Sequence, residues 1–134
     1  MSVSIPYVLL SAVLGLSTSV SYASTPWQLS QTSVKGQLQS ELQCVTAPAV
    51  GDFQNCTLKL NSTQTLPSDL TIAMDGGMPA HGHGLPTAPK VVATDKVGEY
   101  RIEGLKYSMT GEWLLGFMLQ SKSMNDKIVY KFSF

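Results

Sequence analysis

The chain has 134 residues, nine acidic and nine basic side chains, and a formal net charge of zero. That length allows one domain. The singly spaced Lys and Arg exclude the basic patch that a nucleic-acid partner requires, and no acidic run marks a disordered tail.

Residues 1–23 read as a secretory signal peptide. The apolar run at 7–16 is shorter than the ~20 residues of a membrane span. Ser21, Tyr22 and Ala23 put small residues at the −3 and −1 positions, so cleavage is expected after Ala23. The alternative is an uncleaved N-terminal anchor, because no Lys or Arg precedes the apolar run. The expected location is the periplasm, with residues 24–134 as a single domain and no membrane span after cleavage. Cys44 and Cys56 are the only cysteines. An even pair in an exported chain reads first as a disulfide, which would stabilise the fold by roughly 3 kcal/mol on the chain-entropy model. A pair of metal thiolates is the rival reading.

From there the hydrophobic period is two almost throughout. Leu38, Leu42 and Cys44 share one parity, as do Cys56, Leu58 and Leu60. Both cysteines therefore fall on apolar strand faces, joined by a Pro/Gly-containing loop at 45–55. Leu70, Ile72 and Met74 form the next alternating set. Residues 74–86, Met-Asp-Gly-Gly-Met-Pro-Ala-His-Gly-His-Gly-Leu-Pro, are too rich in Gly and Pro for a helix or a regular central strand and are expected to form a loop. Residues 90–93 form a short strand, and 98–105 alternates with Tyr100 and Ile102 inward. Residues 112–120 carry Trp113, Leu115, Phe117 and Leu119 on one face, with Leu114, Gly116 and Met118 on the other. Met118 thus has the parity of a core residue in a strand covered on both sides. Ile128, Tyr130, Phe132 and Phe134 alternate in the last strand. About seven short strands without a helix predict an all-β chain, an immunoglobulin-like β-sandwich.

The 74–86 stretch holds both histidines of the chain and two of its six methionines. His81 and His83 are two apart, so an extended backbone points both imidazoles to one side. Thioether with imidazole is a soft-to-borderline donor set that suits Cu(I) and, to a lesser degree, Cu(II). Zinc is less suited, since it prefers Cys with His. Met109 precedes the Trp113 strand, and loops of a sandwich gather at its two ends, so this second loop is placed to add a ligand. The candidate metal set is Met78, His81, His83 and Met109, with Met74 reading as core before ligand. Asp75 and Glu112 read as turn-capping or solvated. No catalytic role is expected, because no nucleophile elbow, free thiol or facing carboxylate pair is present.

The pattern Met-x-x-x-Met-Pro-x-His-Gly-His-Gly, then Gly-Glu-Tyr-Arg-Ile, then Met-Thr-Gly-Glu-Trp-Leu-Leu, resembles the YtkA-like/FixH-like group of small envelope domains. The resemblance runs from about residue 70 to 119. It implies an immunoglobulin-like sandwich in the bacterial envelope, connected with copper handling or with assembly of copper-containing respiratory enzymes. It carries the ligand role onto Met78, His81, His83 and Met109, and less securely onto Met74. The long N-terminal membrane helix expected of FixH-type proteins is lacking, which favours a soluble periplasmic protein. The expected function is therefore copper binding, as a chaperone or in sequestration or delivery, with a periplasmic or membrane cuproprotein as partner. The alternative is a metal-independent module whose Gly/Pro/Met-rich loop docks a protein partner. A haem- or small-ligand-binding protein with His and Met as axial ligands is a third reading.

Overall fold

In a computed structural model, residues 19–21 and 24–134 are described. The expected signal peptide falls mostly on residues 1–18 and 22–23, so it lies outside the described residues. Among the described residues there is no helix long and apolar enough to cross a membrane.

Nine strands follow in order: β1 (Trp27–Thr32), β2 (Gln39–Cys44), β3 (Cys56–Asn61), β4 (Thr71–Met78), β5 (His83–Gly84), β6 (Lys90–Ala93), β7 (Glu99–Glu103), β8 (Glu112–Gln120) and β9 (Asn125–Ser133). They form a five-stranded sheet, β1-β2-β3-β7-β6, packed on a four-stranded sheet, β5-β4-β8-β9. Every strand pair is antiparallel. The all-β expectation holds, and the two sheets make a β-sandwich.

Alternation along the strands decides which side chains meet between the sheets. Leu42, Leu58 and Ile102 come from the first sheet. Trp113, Leu115, Phe117, Leu119, Ile128 and Tyr130 come from the second. All are buried, and transfer of such side chains out of water stabilises the fold by ~1.5–3 kcal/mol each. One hydrogen-bonded chain crosses this core. The Tyr130 hydroxyl donates to Ser40 Oγ at 2.7 Å, and Ser40 Oγ donates to the Gln31 carbonyl at 2.6 Å. Burial of the phenol, only partly offset by the Ser40 hydroxyl, pushes the Tyr130 pKa up to about 12.

Cys44 and Cys56 are directly opposite each other in the β2–β3 ladder and form a buried disulfide. The 45–55 loop that it closes is tied onward by bridges from Val50 to Tyr107 and from Phe53 to Lys106.

Three features depart from the sequence expectation. β1 went unread because its sequence, Trp-Gln-Leu-Ser-Gln-Thr, is mostly polar and it lies at a sheet edge. Met118 is not a core residue but stands exposed opposite Lys127, because only one face of β8 is covered. Residues 74–78 are not loop: β4 runs through Asp75, Gly76 and Gly77 to Met78, beside β8. The glycines serve close approach within that ladder. A Cβ on Gly76 would stand 2.6 Å from Leu115 Cδ2 and 2.8 Å from the Leu114 carbonyl oxygen, so a larger residue would force the strands apart.

Candidate metal centre

β4 ends where β8 begins. The ladder aligns Gly77 with Leu114, so the β4–β5 hairpin and the 104–111 loop that feeds β8 share one end of the sandwich. The 45–55 loop stands at this same end, through its bridges to Lys106 and Tyr107.

The hairpin is short. Met78 is register-paired with His83, and the His81 N–H donates to the Met78 carbonyl at 3.0 Å. Gly82, at φ +62°, lets the chain turn back into β5. Directly opposite residues of an antiparallel pair project to the same side with Cβ atoms ~4.5–5.5 Å apart. Met78 and His83 are therefore neighbours on one face, although they are five positions apart in the chain. The imidazole rings of His81 and His83 are 6.3 Å apart between centroids, with planes inclined by 27°. Two rings bonded to one ion at ~2.0–2.1 Å stand with centroids roughly 5–6 Å apart. The rings therefore stand slightly farther apart than on one shared ion, and His81 lies in the turn instead of the extended chain that the sequence spacing assumed.

Met78 is buried, at 1% exposure. Its methyl end reaches Gly111 of the second loop, where an added Cβ would stand 2.6 Å from Met78 Cε. Gly111 adopts φ +130°, a conformation that L side chains rarely take. Its N–H donates to the Phe134 carbonyl at 3.0 Å, and its carbonyl accepts from the Phe134 N–H at 3.4 Å. Two residues earlier, Met109 is exposed at 36%. Its carbonyl accepts a hydrogen bond from Trp113 Nε1 at 3.0 Å. Trp113 packs edge-on against Tyr107 with centroids 5.1 Å apart. Tyr107 is itself buried, and that burial pushes its phenol pKa upward. The loop that carries Met109 is thus anchored on the buried aromatic pair of Tyr107 and Trp113.

Met74 lies elsewhere. It is 9% exposed and opposite Phe117, two pleat repeats along β4 from Met78, where it packs as core. Asp75 is exposed inside β4 and caps no turn, its Oδ1 accepting from the Gly76 N–H at 2.7 Å. Glu112 pairs with Lys131 at 3.1 Å on the surface. Among the described residues, no three His, Cys, Asp or Glu side chains converge on a point. The other soft donors at this end are the thioethers of Met78 and Met109. Sequence reasoning missed Gly111 as the packing partner of Met78 and Trp113 Nε1 as the anchor of Met109. Both lie within the Met-Thr-Gly-Glu-Trp run, and a glycine directly before a strand was the available signal for a close approach.

No curated protein and no solved structure matches the chain. Among protein families, residues 31–116 match the family described as YtkA-like. This span covers more than half of the chain, from within β1 to the middle of β8, and holds Met74, Met78, His81, His83 and Met109. By this match the chain belongs to the YtkA-like family.

Proposed function

We propose that this protein binds copper in the cell envelope, holding Cu(I) with His81, His83, Met78 and Met109 for sequestration or for delivery to a periplasmic or membrane cuproprotein. The observation that carries this reading is the meeting of the two loops. Met78 shares a strand register with His83 and touches Gly111, two residues from Met109. Thioether sulfur and imidazole are the donors that Cu(I) prefers. The Cys44–Cys56 disulfide fits an oxidising compartment, where thioethers survive as sulfur ligands and thiols do not. The reading is one of binding, not catalysis.

The test is a Cu(I) competition titration of the protein and of a His81→Ala/His83→Ala variant. The expected result is one tight site, weakened at least tenfold in the variant. Equal affinity in both proteins, or none in either, removes the proposal.

The metal-independent alternative draws on one observation. Phe53 and Val50 stand 67% and 47% exposed on the braced 45–55 loop, at the same end as Met109. A docked partner that survives strong chelation and loss of both histidines would favour it over copper.

A further inference from the structure

The two long sides of the sandwich are closed differently. On the β1/β9 side the sheets are stitched together: the Val34 N–H donates to the Lys127 carbonyl at 2.8 Å, and the Lys35 N–H to Asp126 Oδ1 at 3.0 Å. On the β4/β6 side no hydrogen bond joins the two sheets among the described residues. The reason is legible in residues 86–89. After Leu85 donates to the Gly76 carbonyl at 3.1 Å, the chain leaves β4 and crosses to the other sheet. Pro86 and Pro89 have no N–H with which to continue the ladder. Thr87 Oγ1 instead donates to the Gly104 carbonyl at 2.6 Å, on the far sheet.

Antiparallel ladders alternate, so the free groups can be named. The Gly76 carbonyl points away from β8, and therefore so do the N–H and C=O groups of Ile72 and Met74. On β6, the Thr94 N–H bonds to the Glu99 carbonyl at 3.1 Å, which fixes the phase of the β6–β7 ladder. The N–H and C=O groups of Val91 and Ala93 therefore point away from β7. Two unpaired strand edges border a cleft of about 360 Å³ whose walls include Ile72, Met74, Pro89, Val91 and Val92, with Lys90 at its rim. Ile72, Val91 and Val92 are half-buried and Met74 is buried, so the cleft is apolar between its two rows of backbone groups.

We infer that this cleft receives an extended segment of a partner protein, added as a strand on the free edge of β6. Main-chain hydrogen bonds to Val91 and Ala93 would supply the affinity, as in other cases of strand addition. Alternate side chains of the segment would enter the apolar cleft over Ile72 and Met74. A carboxylate on the segment would face Lys90. The spaced donors and acceptors define the occupant as polypeptide in the extended state. This binding involves neither histidine and is independent of copper.

The experiment uses metal-free protein and an acetylated, amidated hexapeptide that alternates valine and threonine and carries one glutamate. Backbone amide exchange is followed during titration. The expected result is saturable binding that slows exchange at Val91 and Ala93 about tenfold or more, while amides of β1 are unchanged. In Val91→Pro the edge donor is removed. Because that N–H faces away from β7, proline keeps the β6–β7 ladder, and the fold should be retained, with a lower melting temperature from the lost Val91 packing, while peptide binding falls at least tenfold. Replacing the peptide's glutamate with lysine should weaken binding. Unchanged exchange at millimolar peptide, or equal binding by Val91→Pro, overturns the inference. So does protection of the same amides by self-association without peptide, which would make the occupant a second copy of this chain.

Discussion

Gly111→Ala tests the contact on which the candidate site depends. The new methyl would stand 2.6 Å from Met78 Cε, inside any tolerable separation, at a backbone φ of +130°. The backbone cannot rotate away freely, because both polar groups of Gly111 are bonded to Phe134. Holding a non-glycine residue in such a region costs ~1–3 kcal/mol. The steric part is smaller, about 1 kcal/mol, because the clashing atom is the far end of a flexible methionine. The total is about 2–4 kcal/mol, which lowers Tm by roughly 10–20 °C for a domain of this size.

Thermal or urea denaturation of the single variants and the double variant with Met78→Ala separates the two parts. In the Met78→Ala background the steric part vanishes and the backbone part remains. The cycle should therefore give a coupling of about 1 kcal/mol, above the ~0.3–0.5 kcal/mol scatter of independent sites. Strict additivity would show that Met78 does not rest on Gly111. A Gly111→Ala protein as stable as the parent would remove the strain argument as well.

Three further outcomes follow from the fold. Cys44→Ala/Cys56→Ala should lose ~2–5 kcal/mol in urea denaturation, and a loss under 1 kcal/mol would mean that the β2–β3 hairpin is held without its bridge. Tyr130 has a pKa raised to about 12 against ~10 unfolded. A raised value means that the native state holds the proton longer, so its stability is complete below pH ~10 and is lost as pH rises toward the native pKa, by about 2–3 kcal/mol. Alkaline denaturation of Tyr130→Phe should lose that part of the limb and keep the part due to Tyr107, whose phenol burial also raises, and an unchanged profile would refute the assignment. Asp126 behaves oppositely. Burial pushes its carboxyl up, but the Ser33 hydroxyl, the backbone N–H groups of Lys35 and Lys127 and the Lys35 charge together hold it below the usual range. Its stabilisation is present above the unfolded pKa near ~3.9 and is lost as pH falls through the lower native value. Asp126→Asn should flatten the acid limb of the stability curve, and a variant that keeps the limb would assign it to other carboxylates.

The fold was legible where burial is one-sided. In β3, and in Ile128, Tyr130 and Phe132 of β9, period-two reading finds the inward residues; it finds Trp113, Leu115, Phe117 and Leu119 of β8 by shared parity, although Leu114 and Met118 make the other face look apolar too. It failed where composition and burial disagree. β1 is polar because it is an edge, and Met118 is apolar on an uncovered face. The glycines of β4 failed most instructively. Gly76 and Gly77 look like loop residues in a one-dimensional reading. In space they are strand residues, excluded from having a Cβ by Leu115, the Leu114 carbonyl and the His83 carbonyl. For the same reason the candidate site was only half visible. His81, His83 and Met109 could be picked by donor chemistry alone. That Met78 lies on the face of His83 is a matter of hairpin register, which no spacing rule supplies when the turn has yet to be located.

Burial and donor chemistry pull apart at Met78, and the disagreement fixes which methionine matters. Met109 is exposed, but its known anchor is its carbonyl, held by Trp113, which leaves its side chain free to move. Met78 is 1% exposed, yet its Cβ is adjacent to that of His83, and its methyl, not its sulfur, contacts Gly111. A packed thioether beside His83 binds at a lower ordering cost than a mobile surface side chain incurs. If copper binds at this end, Met78→Leu should weaken Cu(I) binding more than Met109→Leu does, by tenfold or more, equivalent to ~1.4 kcal/mol. Leucine for methionine preserves core volume and should cost less than ~1.5 kcal/mol in stability, so the loss would not reflect unfolding. Competition titration with parallel melting curves separates the two effects. A Met78→Leu protein that binds Cu(I) as tightly as the parent, beside a weakened Met109→Leu, would move the ion wholly to the surface and leave Met78 as core.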